Sequence, residues 1–408
     1  MSPVAVAAPV PGRCRPTITV GAAALALALL LGLQPVSTDL YLPALPLLTR
    51  ELSAPMGGVQ MTMAGLILAF GLAQMVWGPI ADRFGRRPVL LVGLTLYTAA
   101  STGCALAGSI DNLVVWRILQ GAALAAAVVC ARAIVRDLYE PTQGAQVMAL
   151  ALSGLGLLAL ASPLLGGMLT MLGGWRWALA LVALIGLATL AYVAWRLPET
   201  LLTPNLRALQ AAELLRTWRA IARNRSFLAW ALLVSCTYGG LFTVLASSSF
   251  VFIDLLGLSA FAYGGAMALG SVCYIAGTFV CRRWIRLYGM AGTVRRAGFF
   301  TLTAGLALAA AAAFGVVTWW SVLLPYGAYA FGHGMHQPCG QAGLVAPFPR
   351  NAGAASALAG LLLALVAFGI GRWLGASIDG TVRPLAYGVC FWAVLTCVVG
   401  WTLVQRAR

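Results

Sequence analysis

Long apolar stretches alternate with short polar joints along the chain from position 17 to position 404. A helix needs about 20 apolar residues to cross the roughly 30 Å hydrocarbon layer of a lipid bilayer. The pattern supplies stretches of this length repeatedly, and it therefore predicts twelve membrane-spanning helices. The predicted spans are residues 17–46, 57–81, 89–109, 112–138, 143–172, 176–197, 226–252, 259–285, 293–315, 318–345, 352–378 and 384–404.

The longest polar interval divides these spans into two sets of six. It covers residues 198–225 and contains Pro198, Pro204 and a run of arginines. Within it, helical periodicity over residues 206–222 predicts a short amphipathic helix on the membrane surface. We expect an all-α membrane protein of two pseudo-symmetric six-helix bundles. Its predicted parts are a tail at 1–16, a bundle at 17–197, a linker at 198–225, a bundle at 226–404 and a tail at 405–408.

Composition and charge agree with a lipid environment. Hydrophobic residues make up 61% of the chain and charged residues 9%, which leaves too little polar surface to coat a soluble fold. The net charge is +16, and every basic residue is an arginine. With the N-terminus inside, all of them lie on the cytoplasmic side except Arg50, Arg117, Arg176, Arg372 and Arg383. The positive-inside rule then places both termini in the cytoplasm, and lipid headgroups explain the charge better than nucleic acid does.

Two further features have structural interpretations. Residues 13–34 resemble a signal peptide, but no small-residue cleavage site precedes the following polar segment, so we interpret them as part of an uncleaved first span. The nine cysteines are scattered mostly through the spans without metal-binding spacing, which favours packing roles. We expect no metal site and no cofactor.

The polar joint after the second span carries a specific motif. Residues 78–88 read GPIADRFGRRP, where glycine permits a tight turn and one acid stands among three bases. The motif resembles the major facilitator superfamily signature G-x-x-x-D-R-x-G-R-R. A basic loop that only sets topology would explain the arginines, but not the acid and the second glycine at these positions. The resemblance implies a conformational latch formed by Gly78, Asp82, Arg83, Gly85, Arg86 and Arg87.

A weak internal repeat supports two related halves. Phe84-Gly85 and Tyr288-Gly289 occupy corresponding joints, each after a span and before arginines. Arg286 stands where Asp82 stands in the first half, so any latch in the second half must be asymmetric.

Other segments resemble the bicyclomycin- and chloramphenicol-resistance branch of drug–proton antiporters in this superfamily. They are residues 37–46 (STDLYLPALP), 117–121 (RILQG), 131–139 (ARAIVRDLY), 337–340 (QPCG) and 353–357 (GAASA). The span-five antiporter motif of this group, G-P-x-x-G-G, is matched here by Pro163, Gly166 and Gly167, while Ser162 replaces its first glycine. The resemblance implies a monomeric secondary transporter in the bacterial cytoplasmic membrane that exchanges protons for small molecules.

Two charged residues within spans are candidates for proton coupling. A carboxylate or guanidinium inside a membrane is unfavourable unless it is protonated, hydrated or paired, so Asp39 in span one and Arg117 in span four are functional candidates. We expect Asp39 to carry the proton and Arg117 to bias it. The structural alternatives are a helix-breaking segment at the periplasmic surface for Asp39, since Pro43 and Pro46 follow it, and a snorkelling side chain for Arg117.

Aromatic and polar side chains in the spans suit an apolar cavity for planar or amphipathic compounds. The predicted lining residues are Tyr41, Gln120, Tyr238, Phe242, His336 and Gln337. His333 and His336 have a second interpretation, as a titratable pair on a proton path, and a third, as polar contacts between helices. The aromatic residues have the alternative of packing against helices or lipid.

The leading functional hypothesis is proton-coupled export of drug-like compounds by alternating access. A dedicated exporter of an endogenous metabolite, such as a siderophore, is an alternative within the same fold. A proton symporter for nutrient uptake is another, supported by the altered span-five motif. Enzymatic or ATP-driven function is not expected, because the sequence has no Walker loop and no catalytic or metal-binding constellation.

Overall fold

The computed structural model describes residues 18–206, 208–349 and 351–406. The predicted tail at 1–16, Arg207, Arg350 and the last two residues lie outside these ranges. Within them the chain is helical, and the predicted all-α fold with twelve spans is confirmed. We number the spans in chain order, call spans 1–6 the first half and spans 7–12 the second half.

The span bounds follow from the helices. They are Val20–Glu51, Met56–Phe84, Arg86–Ala105, Ile110–Leu138, Pro141–Gly173, Trp175–Arg196, Arg225–Leu255, the two parts of Ala260–Ala313 on either side of Gly289, Trp319–Val345, Ala352–Ser377 and Arg383–Arg406. Between spans 6 and 7 lies a surface helix, Ala211–Ala222, which begins later than the predicted residue 206. Because the number of spans is even, the first span begins and the last span ends on the same face, which we call the termini face.

The first span is longer than predicted and is broken. Its main helix, Val20–Asp39, is followed by a 3-10 turn at Leu42–Ala44 and a short helix at Leu45–Glu51. Pro43 and Pro46 stand in the first turns of these two segments, where a missing N–H leaves no hydrogen bond unmade. The prolines therefore interrupt the span without ending it, and the break lies within the length of the helix.

On the face opposite the termini, the two halves contact each other closely. Arg50 of span 1 forms an ion pair with Asp254 of span 7. Gln60 of span 2 donates from Nε2 to the carbonyl of Ala246 in span 7 at 2.8 Å. Nearby, a Cβ atom on Gly375 of span 11 would lie 2.8 Å from the Cα atom of Gly57 in span 2. This face is closed.

Toward the termini face, the interface between spans 5 and 8 opens. Pro163 and Gly167 of span 5 contact Gly264 and Ala260 of span 8, backbone against backbone. The positions that continue this stripe along span 5 toward the termini, such as Ser153, are accessible, and on span 8 Arg282 is exposed. The interface between the halves is therefore closed on one face, while positions toward the termini face are accessible, an asymmetry that alternating access requires.

Candidate functional site

The break in span 1 lies at the interface of the halves and presents a carboxylate there. Asp39 is the last residue of the main helix, is half-buried, and accepts a hydrogen bond from the Thr38 hydroxyl at 2.7 Å. It lies within electrostatic range of the phenols of Tyr238, Tyr263 and Tyr326, which all belong to the second half. Twelve further residues of span 1 follow Asp39 (51 minus 39), so it does not end the span at the membrane surface.

Arg117 is fully buried beside the same break. Its Nη1 donates to the Ser37 carbonyl at 2.9 Å and to Gln120 Oε1 at 2.8 Å, while its Nε and Nη2 have no hydrogen-bond acceptor among the residues that the structure describes. Its guanidinium carbon lies 4.4 Å from the centroid of the Tyr41 ring, a cation–π arrangement. The Ser37 carbonyl is one of the last four of its helix, which lack the usual intrahelical donor, so Arg117 caps the broken helix.

A chain of hydroxyl groups holds this arrangement in place. Gln120 Nε2 donates to Ser101 Oγ at 2.7 Å, and Ser101 Oγ donates to the Tyr97 carbonyl at the same distance. The Tyr97 and Ser37 hydroxyls share a hydrogen bond of 2.6 Å, which returns to span 1. Side chains of three spans thus fix the position of the break. The Asp39 side chain extends from the break toward the second half.

The structure does not pair Asp39 with Arg117 directly. No ion pair or hydrogen bond joins these two described residues, although they flank the same helix break. Any effect of Arg117 on Asp39 passes through the Ser37 carbonyl and the geometry of the break. A snorkelling role for Arg117 does not fit, because its side chain is fully buried among spans 1, 3 and 4.

The predicted cavity residues divide into two groups. Tyr238 is half-buried and stacks on Phe242 with ring centroids 6.1 Å apart, and Gln337 is also half-buried, with an Oε1 that has no partner among the described residues. Tyr41, Phe242 and Gln120 are fully buried, as helix contacts. The Tyr41 hydroxyl is hydrogen-bonded to Thr62 of span 2 at 3.0 Å.

Both histidines of span 10 contact other helices of the second half. His336 is fully buried, and its Nε2 lies 3.2 Å from the Thr301 hydroxyl of span 9. His333 Nδ1 lies 3.0 Å from the Thr237 hydroxyl of span 7, and its ring lies against Tyr274 of span 8. These contacts correspond to the polar helix-contact interpretation, and they place His336 among helices of one half. Within the described ranges, no three His, Cys, Asp or Glu side chains come together as a metal site.

The span-five motif packs the backbone of three spans together. A Cβ atom on Gly166 would lie 2.0 Å from the Leu40 carbonyl oxygen, directly after Asp39, and one on Gly167 would lie 2.4 Å from the Ala260 carbonyl oxygen of span 8. The hydroxyl of Ser162, which replaces the usual glycine, donates to the Leu158 carbonyl at 2.6 Å within its own helix. The motif therefore holds spans 5 and 8 together next to the closed face, and it packs against the helix break beside Asp39.

The joint between spans 2 and 3 forms a charged cluster on the termini face. Buried Arg86 donates to Asp82 Oδ1 at 2.6 Å and to Asp137 Oδ2 of span 4 at 2.8 Å. The Glu199 carboxylate accepts from the backbone N–H groups of Arg86 at 2.9 Å and Arg87 at 3.1 Å. These N–H groups begin span 3, where a helix dipole favours a negative charge.

The remaining members of the predicted latch have smaller roles in this cluster. Gly85 has φ 109°, and a Cβ atom there would lie 2.4 Å from Glu199 Oε2. Exposed Arg83 contacts the Leu206 carbonyl at 3.4 Å, and Arg87 donates to the Ala194 carbonyl at 2.9 Å. Gly78 lies near Val129 of span 4. Asp137 and Glu199 were missed as partners of the motif because they lie far from it in sequence.

Comparisons with known proteins agree with this architecture. The profile of the Major Facilitator Superfamily matches residues 27–371. Multidrug resistance protein D of Escherichia coli (strain K12) is 31% identical over 337 residues, covering 82% of this chain and 84% of that protein. The bicyclomycin resistance protein homolog of Haemophilus influenzae is 25% identical over 386 residues, covering 94% of this chain and 96% of that protein.

Among solved structures, the xylose transporter XylE from E. coli, in a partially occluded inward open conformation, superposes with a TM-score of 0.74. The sequence identity is 15%, and the match covers 94% of this chain and 97% of that chain. At this identity the likeness concerns the fold alone.

Twelve spans whose two halves enclose a polar site define a multi-pass secondary transporter of small molecules, not an enzyme. The chain belongs to the Major Facilitator Superfamily. The predicted resemblance to the bicyclomycin- and chloramphenicol-resistance branch is confirmed by the Haemophilus influenzae relative and by a chloramphenicol resistance protein of Pseudomonas aeruginosa, which is 38% identical over 172 residues, covering 41% of this chain and 40% of that protein.

Proposed function

We propose that this transporter exports small drug-like or amphipathic compounds in exchange for protons, with Asp39 as the proton carrier. One observation carries the proposal: a half-buried carboxylate stands at a helix break and faces the other half, without an ion-pair partner among the described residues. A carboxylate in such a place is stabilised by protonation or by water, and its proton affinity changes when the cavity opens to one side or the other.

The proposed cycle uses competition at one site. When the cavity is open on the termini face, a bound compound and a protonated Asp39 exclude each other, so loading the compound releases a proton. After the halves rock to the other state, Asp39 recaptures a proton and the compound leaves. Arg117 supports the cycle by holding the Ser37 carbonyl at the break, and Tyr238 and Gln337 are the proposed cavity contacts.

The relatives and the charge distribution support the direction of transport. Relatives named for multidrug and bicyclomycin resistance suggest export of drug-like compounds. The arginine-rich joints at the termini face support an orientation with both termini in the cytoplasm of a bacterium and the protein in its inner membrane. We further propose a monomer, with bundles at 17–197 and 226–404 and a linker at 198–225.

We also propose that the charged cluster of Asp82, Arg86, Asp137 and Glu199 is a conformational latch on the cytoplasmic side. Its ion pairs lie within the first half in the present, cytoplasm-open state. The glycines of the span-five motif complete the closure of the other face.

The available driving force is sufficient for export. One proton falling through about 100 mV releases ~2.3 kcal/mol, and one pH unit adds ~1.4 kcal/mol. For a neutral compound, one proton per cycle sustains a gradient of roughly 500-fold.

The test is transport in everted membrane vesicles or proteoliposomes with an imposed pH gradient. Asp39→Asn keeps the size of the side chain and removes its proton exchange, so we expect proton-driven accumulation of substrate to be abolished. Asp379→Asn, in an exposed loop on the closed face, is the matched control and should transport as the unchanged protein does. Full pH-coupled transport by the Asp39→Asn variant would refute the role of Asp39.

The same vesicles distinguish export from uptake. In an everted vesicle, an exporter accumulates substrate when the interior is acidified, whereas a proton symporter does not. A substrate panel in a strain without its own efflux pumps then separates drug export from export of an endogenous metabolite.

A further inference from the structure

Arg132 of span 4 lies on the open side of the interface and has no partner among the described residues. Its side chain is solvent-accessible and yet surrounded by the rest of the protein, the combination found in a water-filled cavity. It forms no hydrogen bond, ion pair or ring contact with any other described residue. Arg136, one turn farther along the same helix, is also exposed.

The helical geometry shows which way Arg132 points. Val129 of span 4 lies 3.8 Å from a Cβ atom built on Gly78 of span 2, and Val135 lies 3.2 Å from one built on Gly144 of span 5. Three residues advance an α-helix by about 300°, so Arg132 points midway between these two neighbours. Spans 2 and 5 are the helices of the first half that meet spans 11 and 8. Arg132 therefore points through the gap between spans 2 and 5 toward the second half.

The depth of Arg132 corresponds to the mouth of the cavity. Span 4 ends at Leu138, six residues after Arg132, which is about 9 Å of helix. Asp39 lies deeper, because Arg117 at its level precedes Arg132 by fifteen residues (132 minus 117), or roughly 22 Å. The cavity thus has a carboxyl group near its closed end and a guanidinium near its entrance.

No protein carboxylate is available to neutralise Arg132. On the termini face, Asp82 and Asp137 are bound to Arg86, and Glu199 accepts from the start of span 3. Glu140 and Glu213 are exposed and form no ion pair with Arg132. The second half contains two acids, Asp254 and Asp379, and both lie on the closed face. An entering anion is the complementary charge that remains.

We propose that Arg132 is an anion-recognition residue, and that the transporter takes amphipathic compounds carrying a carboxylate or a similar anionic group. This inference rests on the proposed export function, because it names the substrate class of the same cavity. The guanidinium selects an anion through charge-assisted hydrogen bonds and disfavours cations at the entrance. A substrate anion and an anionic lipid headgroup have the same charge and could both bind Arg132. The test therefore also varies the lipid composition of the membrane.

The experiment measures binding of three matched probes that share an apolar ring system. Pyrenebutyrate, pyrenebutanol and pyrenebutylamine carry a carboxylate, a hydroxyl and an ammonium group on the same body. Energy transfer from the tryptophans of the protein to pyrene reports binding to the full chain in nanodiscs of phosphatidylcholine. We expect the unchanged protein to bind pyrenebutyrate most tightly.

Arg132→Gln should weaken pyrenebutyrate binding by about tenfold, the effect of losing a hydrogen bond to a charged group. Pyrenebutanol binding should change less than twofold. Arg132→Lys should retain part of the preference, because it keeps the charge without the forked donor geometry. Arg136→Gln is the matched control, with the same change of charge one turn away, and should bind all three probes as the unchanged protein does.

Several results would overturn the inference. Equal losses for all three probes, equal losses in the Arg132→Gln and Arg136→Gln variants, or tighter binding of pyrenebutylamine each exclude selective anion recognition by Arg132. A dependence on Arg132 that appears only after phosphatidylglycerol is added assigns the anion to a lipid headgroup instead of a substrate.

Transport of the same probes separates this inference from the proposed function. Proton-driven export of pyrenebutanol or pyrenebutylamine without any recognition of pyrenebutyrate refutes the inference and leaves the function standing. Binding of pyrenebutyrate that depends on Arg132, without proton-driven export of any probe, supports the anion site and refutes the proposed function.

Discussion

Two corresponding joints of the molecule have similar turns but different side-chain contacts. One lies between spans 2 and 3, and the other lies between spans 8 and 9. Gly85 and Gly289 both have positive φ, 109° and 67°, at corresponding places. Around Gly85, buried Arg86 is bound by two aspartates and the Glu199 carboxylate touches the turn. A Cβ atom on Gly289 would meet no atom within 4 Å. The backbone shape of the turn is thus independent of the charges that surround it in one copy.

The second joint is held by packing and backbone contacts instead. Arg296 lies over the Tyr288 ring at 3.5 Å and donates to the Gly292 carbonyl at 3.1 Å, and Gln405 donates to the Ala291 carbonyl at 2.9 Å. Arg286, at the position that corresponds to Asp82, is exposed. The comparison indicates that the carboxylate cluster of the first half has a role beyond shaping the turn.

The strongest way to break this comparison is Asp137→Asn. It leaves the nearly fully buried Arg86 guanidinium with one exposed carboxylate, and we expect a loss of about 3 kcal/mol in unfolding free energy. Thermal unfolding of the purified protein, followed by tryptophan fluorescence, measures this loss. A variant as stable as the unchanged protein would mean that Arg86 needs no buried counter-charge.

A paired glycine substitution separates backbone strain from the surrounding charges. Both glycines have φ and ψ values that disfavour a side chain, so Gly289→Ala should cost about 1 kcal/mol. Gly85→Ala should cost about 2 kcal/mol, because its methyl group also displaces the Glu199 carboxylate. The same unfolding assay applies, and equal losses at both sites would show that Glu199 is not constrained by the turn.

Glu199→Gln tests the carboxylate at the start of span 3 without removing its bulk. The carboxylate accepts from four backbone N–H groups, those of Arg86, Arg87, Thr200 and Leu201. The amide retains one acceptor oxygen and no charge, so we expect a loss of about 1.5 kcal/mol. If the Glu199→Gln loss persists in the Asp137→Asn background, the two carboxylates act independently.

The smallest expected effect is that of Arg286→Gln in the second joint. This exposed arginine is expected to contribute less than about 0.5 kcal/mol to stability. Measured beside Asp137→Asn, it sharpens the contrast between the two joints. A large loss of unfolding free energy would mean that Arg286 has a counter-charge in the second joint. The two joints would then not differ in their dependence on charge.

Sequence predicts the parts of this molecule that depend on local pattern. The spans follow from stretches of apolar residues, and the turn at Gly85 follows from a motif of consecutive positions. Contacts between distant segments were not predictable in the same way. The bond from Arg117 to the Ser37 carbonyl is one such contact. It could not be predicted, because residue types do not show which backbone carbonyl a helix break leaves without a donor.

The buried histidine illustrates the same limit. His336 was a predicted cavity residue, yet its partner is Thr301 on the neighbouring span of its own half. Helical periodicity shows that a polar side chain stands on a face, but it does not show which helix covers that face. Arg132 was predicted as one of many topology-setting arginines, and its direction became visible from the contacts of Val129 and Val135.

The ion pair of Arg50 and Asp254 joins the two halves on the closed face, where dissolved salt can weaken it. In the proposed orientation both residues face the external medium, and the Arg50 side chain is 71% accessible. Dissolved salt shortens the range of such an attraction from about 10 Å at 0.1 M to about 3 Å at 1 M. Because an exposed ion pair contributes at most about 1 kcal/mol and weakens as salt rises, high salt on this side of the membrane is expected to favour opening of the closed face only slightly.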